Sequence, residues 1–192
     1  MRGIRGGCWV WMACLCMACV EYTPKPRGYV RIEPEVVAYE PLDLPELPFL
    51  FEVSQAATVE LPDKGATLPM FNLSYPSLHA KVYCSYLPIT PASYTEVESE
   101  SRRLVARLSA GALDRIQEKA YAHPEERVFG SLFLIEGNVA SPIQFLLTDS
   151  VSHFLRGALY FDCHPNADSL APAIHYLRQD VVELMQTFQW RR

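Results

Sequence analysis

Apolar and polar positions follow two different periods along this chain, and the switches between them mark out its elements. Over residues 79–87 the period is two, with Val82, Cys84 and Tyr86 on one side and Tyr83, Ser85 and Leu87 on the other; this predicts a strand. Residues 49–53 and 57–61 are shorter strand candidates, followed by the turn sequence Pro62-Asp63-Lys64-Gly65. Residues 68–75 are ambiguous between Pro69 and Pro76. The period then lengthens. Val97, Ser101, Leu104, Val105, Leu108, Ala112, Ile116 and Ala120 recur at helical spacing and predict a helix over 94–122. Ser93 and Glu96 form a capping-box pair, Gly111 can bend or split the helix, and His123-Pro124 ends it. The charged side chains opposite the stripe, Glu98, Arg102 and Glu118 among them, are expected to be solvated. Three strands follow, over 127–135, 143–148 and 153–163, with connections short enough to require antiparallel hairpins. Ile174, Leu177, Val181, Leu184 and Phe188 then predict an amphipathic helix over 170–190. Ser169, or Asp168 before it, is the expected N-cap, and Pro172 is placed in the first turn.

Strands, helix, three strands, helix is the order of an α+β fold: an antiparallel sheet covered by two main helices. Opposite faces of the sheet are one arrangement open to them. The order resembles the Mog1/PsbP-like fold.

The first eighteen residues lie outside this scheme. Arg2 and Arg5 precede an apolar run over 8–17, too short for the roughly 20 residues of a membrane-spanning helix. That is the pattern of a secretory signal. Leu15-Cys16-Met17-Ala18-Cys19 resembles a bacterial lipobox. Cleavage after Ala18 would leave Cys19 to receive the lipid, and exposing Cys14 is the weaker alternative. The expected organisation is a lipoprotein signal peptide over 1–18, a lipidated proline-rich tether over 19–48, and one α+β domain over 49–192. Six prolines between 24 and 48 exclude a helix from the tether. Its Tyr22, Lys25, Arg27, Tyr29 and Arg31 are more than a spacer requires. They are the candidate partner-binding residues, close to lipid head groups.

Removing Arg2 and Arg5 shifts the formal charge from −5 to −7. Such an acidic chain lacks the basic footprint of a nucleic-acid binder. Cys84 and Cys163 remain beyond the lipidated cysteine; two buried thiols are expected, with one bridge as the alternative.

Residues 148–172 crowd Asp149, Ser150, His153, Arg156, Asp162, His164, Asn166, Asp168 and Ser169 around one apolar strand. Asp149, Ser150 and His153 are the residue types of a hydrolase triad, but they fall within five residues and lack a nucleophile elbow. His153, Asp162, His164 and Asp168 are candidate metal ligands. Only Asp162 and His164 share a strand face, and zinc takes three or four ligands. No phosphate loop or cofactor fingerprint appears, and no cofactor is expected. Asp149, His153, Arg156, Asp162, Asn166, Asp168 and Ser169 are therefore expected to form a structural polar cluster. Arg156 would clamp a neighbouring carboxylate of Asp149, Asp162 or Asp168; loss of such a buried pair would cost about 3 kcal/mol or more.

Tyr22-Thr23-Pro24-Lys25-Pro26-Arg27-Gly28-Tyr29, Lys81-Val82-Tyr83 with Ser85-Tyr86, and Gly137-Asn138-Val139-Ala140-Ser141 recur as family-like stretches. So do Gln144-Phe145, Thr148-Asp149-Ser150, His153-Phe154-Leu155-Arg156-Gly157-Ala158-Leu159-Tyr160-Phe161 and Pro165-Asn166-Ala167-Asp168-Ser169-Leu170-Ala171-Pro172. On these residues the chain resembles the gliding motility lipoprotein GldD family. Residues 42–70 depart most, and Phe71 stands where the resemblance leads one to expect an aromatic near Met70. The resemblance implies a non-enzymatic, accessory or stabilising lipoprotein of the gliding machinery and the type IX secretion system. It implies other gliding lipoproteins as partners, a bilayer anchor through Cys19, and a periplasm-facing domain, at the outer membrane in preference to the inner. It carries no catalytic residue over. The competing expectation is a small-ligand- or peptidoglycan-binding, enzyme-like domain centred on Arg156 and His153.

Overall fold

The computed structural model describes residues 38–61, 70–109 and 115–191. In chain order its strands are β1 (Tyr39–Leu42), β2 (Phe49–Ser54), β3 (Thr58–Glu60), β4 (Met70–Tyr75) and β5 (Ala80–Pro88). Helix α1 (Tyr94–Leu108) is followed by β6 (Ile116–His123), β7 (Val128–Ile135), β8 (Ile143–Thr148) and β9 (His153–Phe161). Helix α2 (Ala167–Thr187) and β10 (Gln189–Trp190) complete the fold. Seven strands form one antiparallel sheet in the order β3-β4-β5-β9-β8-β7-β6, and β1-β2-β10 form a second, smaller one. This is an α+β sandwich.

The strand alternation builds two cores. On the first face of the large sheet, Val82, Cys84, Phe145, Leu147, Leu155 and Leu159 meet Leu177, Val181 and Leu184 of α2 and Phe49 and Phe51 of β2. On the second face, Phe133, Ile135, Leu146 and Phe154 meet Val105 of α1, with Tyr94 and Val97 packed against them. The two helices thus cover opposite faces. Gly157 belongs to the first face, and a Cβ there would lie 2.2 Å from the Phe145 ring. The absent side chain makes room for that ring.

Several expectations need correction. The helix expected over 94–122 stops at Leu108, and the chain rejoins the sheet as β6. Ile116 and Ala120 are four apart, a spacing that a helix stripe and one strand face share. As a strand, β6 pairs along its whole length with β7. It sends Ile116 to the second core and Tyr121 to the first. Arg102 is not simply solvated: its guanidinium spans Glu98 at 3.2 Å and Glu118 at 2.8 Å, fastening α1 to β6. Ser93 makes no side-chain cap. It closes a turn instead, accepting from the Thr90 amide (2.9 Å) and donating to the Thr90 carbonyl (3.2 Å).

At α2 the cap is Asn166, whose Oδ1 accepts from the Ser169 amide at 3.3 Å. The helix starts earlier than expected, so Pro172 falls beyond the first turn and leaves the Asp168 carbonyl without its helical donor. Asp168 is exposed, where water can supply one. The helix also ends before Trp190, since Phe188 is extended and Gln189–Trp190 pair with Leu50 and Phe49. The sheets begin at Tyr39, not Phe49, because β1 pairs with β2 from Tyr39↔Ser54 to Leu42↔Phe51. Cys163 is exposed and Cys84 buried, both as free thiols.

Between the layers lies Asp180 of α2, only 4% exposed. Tyr39 donates its hydroxyl to Asp180 Oδ1 at 2.9 Å. Burial raises the Asp180 pKa, and the Tyr39, Tyr75 and Ser54 hydroxyls only partly offset this. Oδ2 lacks a partner in bonding geometry. A raised native pKa means that the folded state holds its proton more tightly than the unfolded state does. The resulting stability is complete below the unfolded value of about 3.9 and is lost as pH climbs through the higher native value. Asp180→Asn keeps the Tyr39 acceptor and removes the charge. In chemical denaturation across pH, the variant should lack this loss and match or exceed the natural protein at pH 7.

Candidate functional site

Helix α1 covers only part of the second face. Among the described residues nothing covers the rest, across β4, β5 and β9. Its composition follows from the register: Met70 lies opposite Ser85, Asn72 opposite Tyr83 and Ser74 opposite Lys81. On the other side Ser85 faces Arg156, Tyr83 faces Ala158 and Lys81 faces Tyr160. Most of these side chains are polar, so the hydrophobic effect recruits no cover. Yet Tyr83 is 48% and Met70 46% exposed. Tyr83 and Tyr160 meet edge to face at 5.6 Å, and Lys81 lies 5.9 Å from the Tyr83 ring centre while bonding Glu60 at 2.7 Å. A groove of about 580 Å³ runs beside them, walled in part by His79, Tyr83, Tyr160 and Asp162. Gln144, on the same face opposite Ala158, is 5% exposed, and its Nε2 has no partner.

Arg156 belongs to this face. Its Nε donates to Ser85 Oγ at 2.9 Å, and among the described residues no carboxylate pairs with it. The expected buried clamp is therefore absent. Strand geometry sends the side chain across to β5 and away from the turns that hold Asp149, Asp162 and Asp168.

The remaining members of the expected cluster are dispersed. Asp149 Oδ1 accepts from the amides of Val151, Ser152 and His153 at 2.8–2.9 Å, closing the turn between β8 and β9. Burial opposes its charge, but those three amides and His153 hold its pKa below the usual carboxylate range. His153 lies on the opposite face of β9 from Arg156. Its Nδ1 is 2.7 Å from the Tyr86 hydroxyl, and its ring stacks on Trp190 at 4.9 Å. This separation removes the expected ligand or catalytic centre built on Arg156 and His153 together. Asp162, His164, Asn166, Asp168 and Ser169 are exposed; Asn166 and Ser169 make the helix cap. Among the described residues no three His, Cys, Asp or Glu side chains cluster as metal ligands. Cys19, Tyr22, Lys25, Arg27, Tyr29 and Arg31 lie outside the described residues.

Two contributions were not anticipated. The face occupied by Tyr83 was legible from the period of two, but its exposure was not. Trp190 was placed on a helix, which hid its approach to His153.

The fold and this face define an α+β domain whose large sheet carries a helix on each face, with an aromatic and cationic sheet surface left uncovered among the described residues. The chain belongs to the gliding motility lipoprotein GldD family, which it matches over residues 19–190. It is thus a cell-envelope lipoprotein related to gliding motility. No curated protein matches the sequence. In structure it is similar to cyanobacterial PsbP (CyanoP) from Synechocystis sp. PCC 6803, at 11% identity and a TM-score of 0.46, over 86% of this chain and 99% of that one.

Arg156→Ala should cost about 1 kcal/mol, the scale of one part-exposed hydrogen bond. Asp149→Ala, which strands three amides, should cost about 2 kcal/mol or more. Urea denaturation of both variants checks the order. A larger loss at Arg156 would restore the buried clamp.

Proposed function

We propose that this protein is a non-enzymatic accessory component of the gliding machinery and of the type IX secretion system. It binds protein partners through the open face of its sheet. One observation carries this reading: Tyr83 and Met70 stand half-exposed beside Arg156, a cation without a carboxylate partner among the described residues. Apolar side chains beside a positioned guanidinium suit a protein interface better than a surface meant to stay in water. Family membership supplies the setting. In this reading residues 1–18 are a signal peptide and Cys19 carries acyl chains such as palmitate. The domain faces the periplasm, at the outer membrane in preference to the inner. The segment with Tyr22, Lys25, Arg27, Tyr29 and Arg31 provides a second contact close to the lipid surface. The partners are other gliding and type IX secretion lipoproteins.

The test replaces Tyr83 and Arg156 together by alanine in the chromosomal copy. Secretion, surface motility and co-purification with the other gliding lipoproteins are scored. The expected result is a folded protein at normal abundance, with partner recovery down at least tenfold and secretion impaired. Unchanged recovery and secretion would refute the open face as the interface.

A further inference from the structure

We propose that the groove beside Tyr83 and Tyr160 has an occupant within the chain itself: residues 31–37, which immediately precede the first described residue, dock into it. The groove holds about 580 Å³. The Met70–Ser85–Arg156 row lies outside its lining, so this contact does not rest on the partner-binding role of the sheet face.

The point of entry argues for it. The Ala38 carbonyl accepts from the Gln55 amide at 2.9 Å, which fixes where the chain enters the domain. Gln55 lies three residues before β3, in a turn closed by the Ala57 amide on the Ser54 carbonyl at 2.9 Å. β3 is an edge of the large sheet. The chain therefore enters beside that edge. From there the register row Thr58–Ser74–Lys81–Tyr160 leads across the sheet into the groove. Rounding the edge takes about 10 Å, one layer spacing, and three strand steps take about 14 Å. Seven extended residues span about 24 Å. Residues 31–37 are thus long enough to end beside Tyr160.

The residue pattern matches the groove. Pro34 bars a helix and favours extended backbone. In that backbone Ile32, Pro34 and Val36 share one side, and Arg31, Glu33 and Glu35 the other. The groove offers both kinds of surface: the Tyr83 and Tyr160 rings, and the charged groups of Lys81 and Asp162. Lys81 has three N–H donors and gives one to Glu60. The order of charge agrees as well. Moving inward from β3, Lys81 of β5 precedes Asp162 at the end of β9. Moving back along the chain from Ala38, Glu35 and Glu33 precede Arg31. Opposite charges therefore meet. Arg31 then serves the groove, and Tyr22, Lys25, Arg27 and Tyr29 remain for the contact near the lipid. With Cys19 as the anchor proposed above, residues 20–30 form the leash, about 40 Å at most.

The test is hydrogen exchange, read by mass spectrometry, on the full chain in detergent without partner proteins. The amides of residues 32–37 should exchange at least tenfold more slowly than in a free peptide of that sequence. Tyr160→Ser and Ile32→Asp should each cut this protection at least threefold. Ile32→Asp, outside the described strands and helices, should do so with Tm unchanged. A photo-crosslinking amino acid at position 32, in a mixture of unlabelled and isotope-labelled protein, should join its own chain at residues 74–83 or 160–162. Exchange at free-peptide rates, protection indifferent to both substitutions, or adducts elsewhere in the chain would overturn the proposal. Adducts mainly between chains would also overturn it and assign the groove to a second copy. With partners absent, the outcome is independent of the partner-recovery experiment above.

Discussion

The distribution of apolar side chains across the large sheet decides everything that lies on its second face. Where β7, β8 and β9 meet, both faces are apolar, with Phe133, Leu146 and Phe154 on one side and Leu132, Leu147 and Leu155 on the other. Farther along, β4 and β5 are apolar on one side only. Burial of an apolar side chain contributes about 1.5–3 kcal/mol, so a helix settles where such side chains are available. α1 docks over β7–β9 and goes no farther. The uncovered face thus follows directly from the chain's own patterning.

The first face shows the opposite situation. There α2 and the small sheet of β1, β2 and β10 close over a continuous core that includes an aromatic group of Phe49, Phe51, Phe71 and Phe188. Asp180 is the polar exception within it. It joins the helix to β1 through Tyr39, and β1 is the first strand among the described residues. β1 is itself held by four ladder pairs to β2 and by this buried hydroxyl–carboxylate bond.

Most of the sheet was legible in the sequence, because a period of two leaves few alternatives when hairpin connections are short. β5, β8 and β9 are where the alternation places them. Failures came where one local pattern fits two structures. Ile116 and Ala120 satisfy a helix and a strand equally, and only pairing with β7 decides between them. The site was harder to read because its contacts are non-local. Arg156 was assigned a carboxylate near in sequence, whereas its partner Ser85 is 71 positions away. Trp190 was expected at the end of the last helix, but two residues of pairing with β2 bring it against His153. Asx turns such as that of Asp149 are local, and there the sequence was informative.

The claim that most needs direct evidence is that the open sheet face is an interface. A photo-crosslinking amino acid placed at position 83, and separately at Arg178 on the exposed side of α2, probes it in living cells. The account predicts crosslinks from position 83 to other gliding lipoproteins, identified by mass spectrometry, and none of these from position 178. Equal labelling from both positions, or no adduct from position 83, would contradict it.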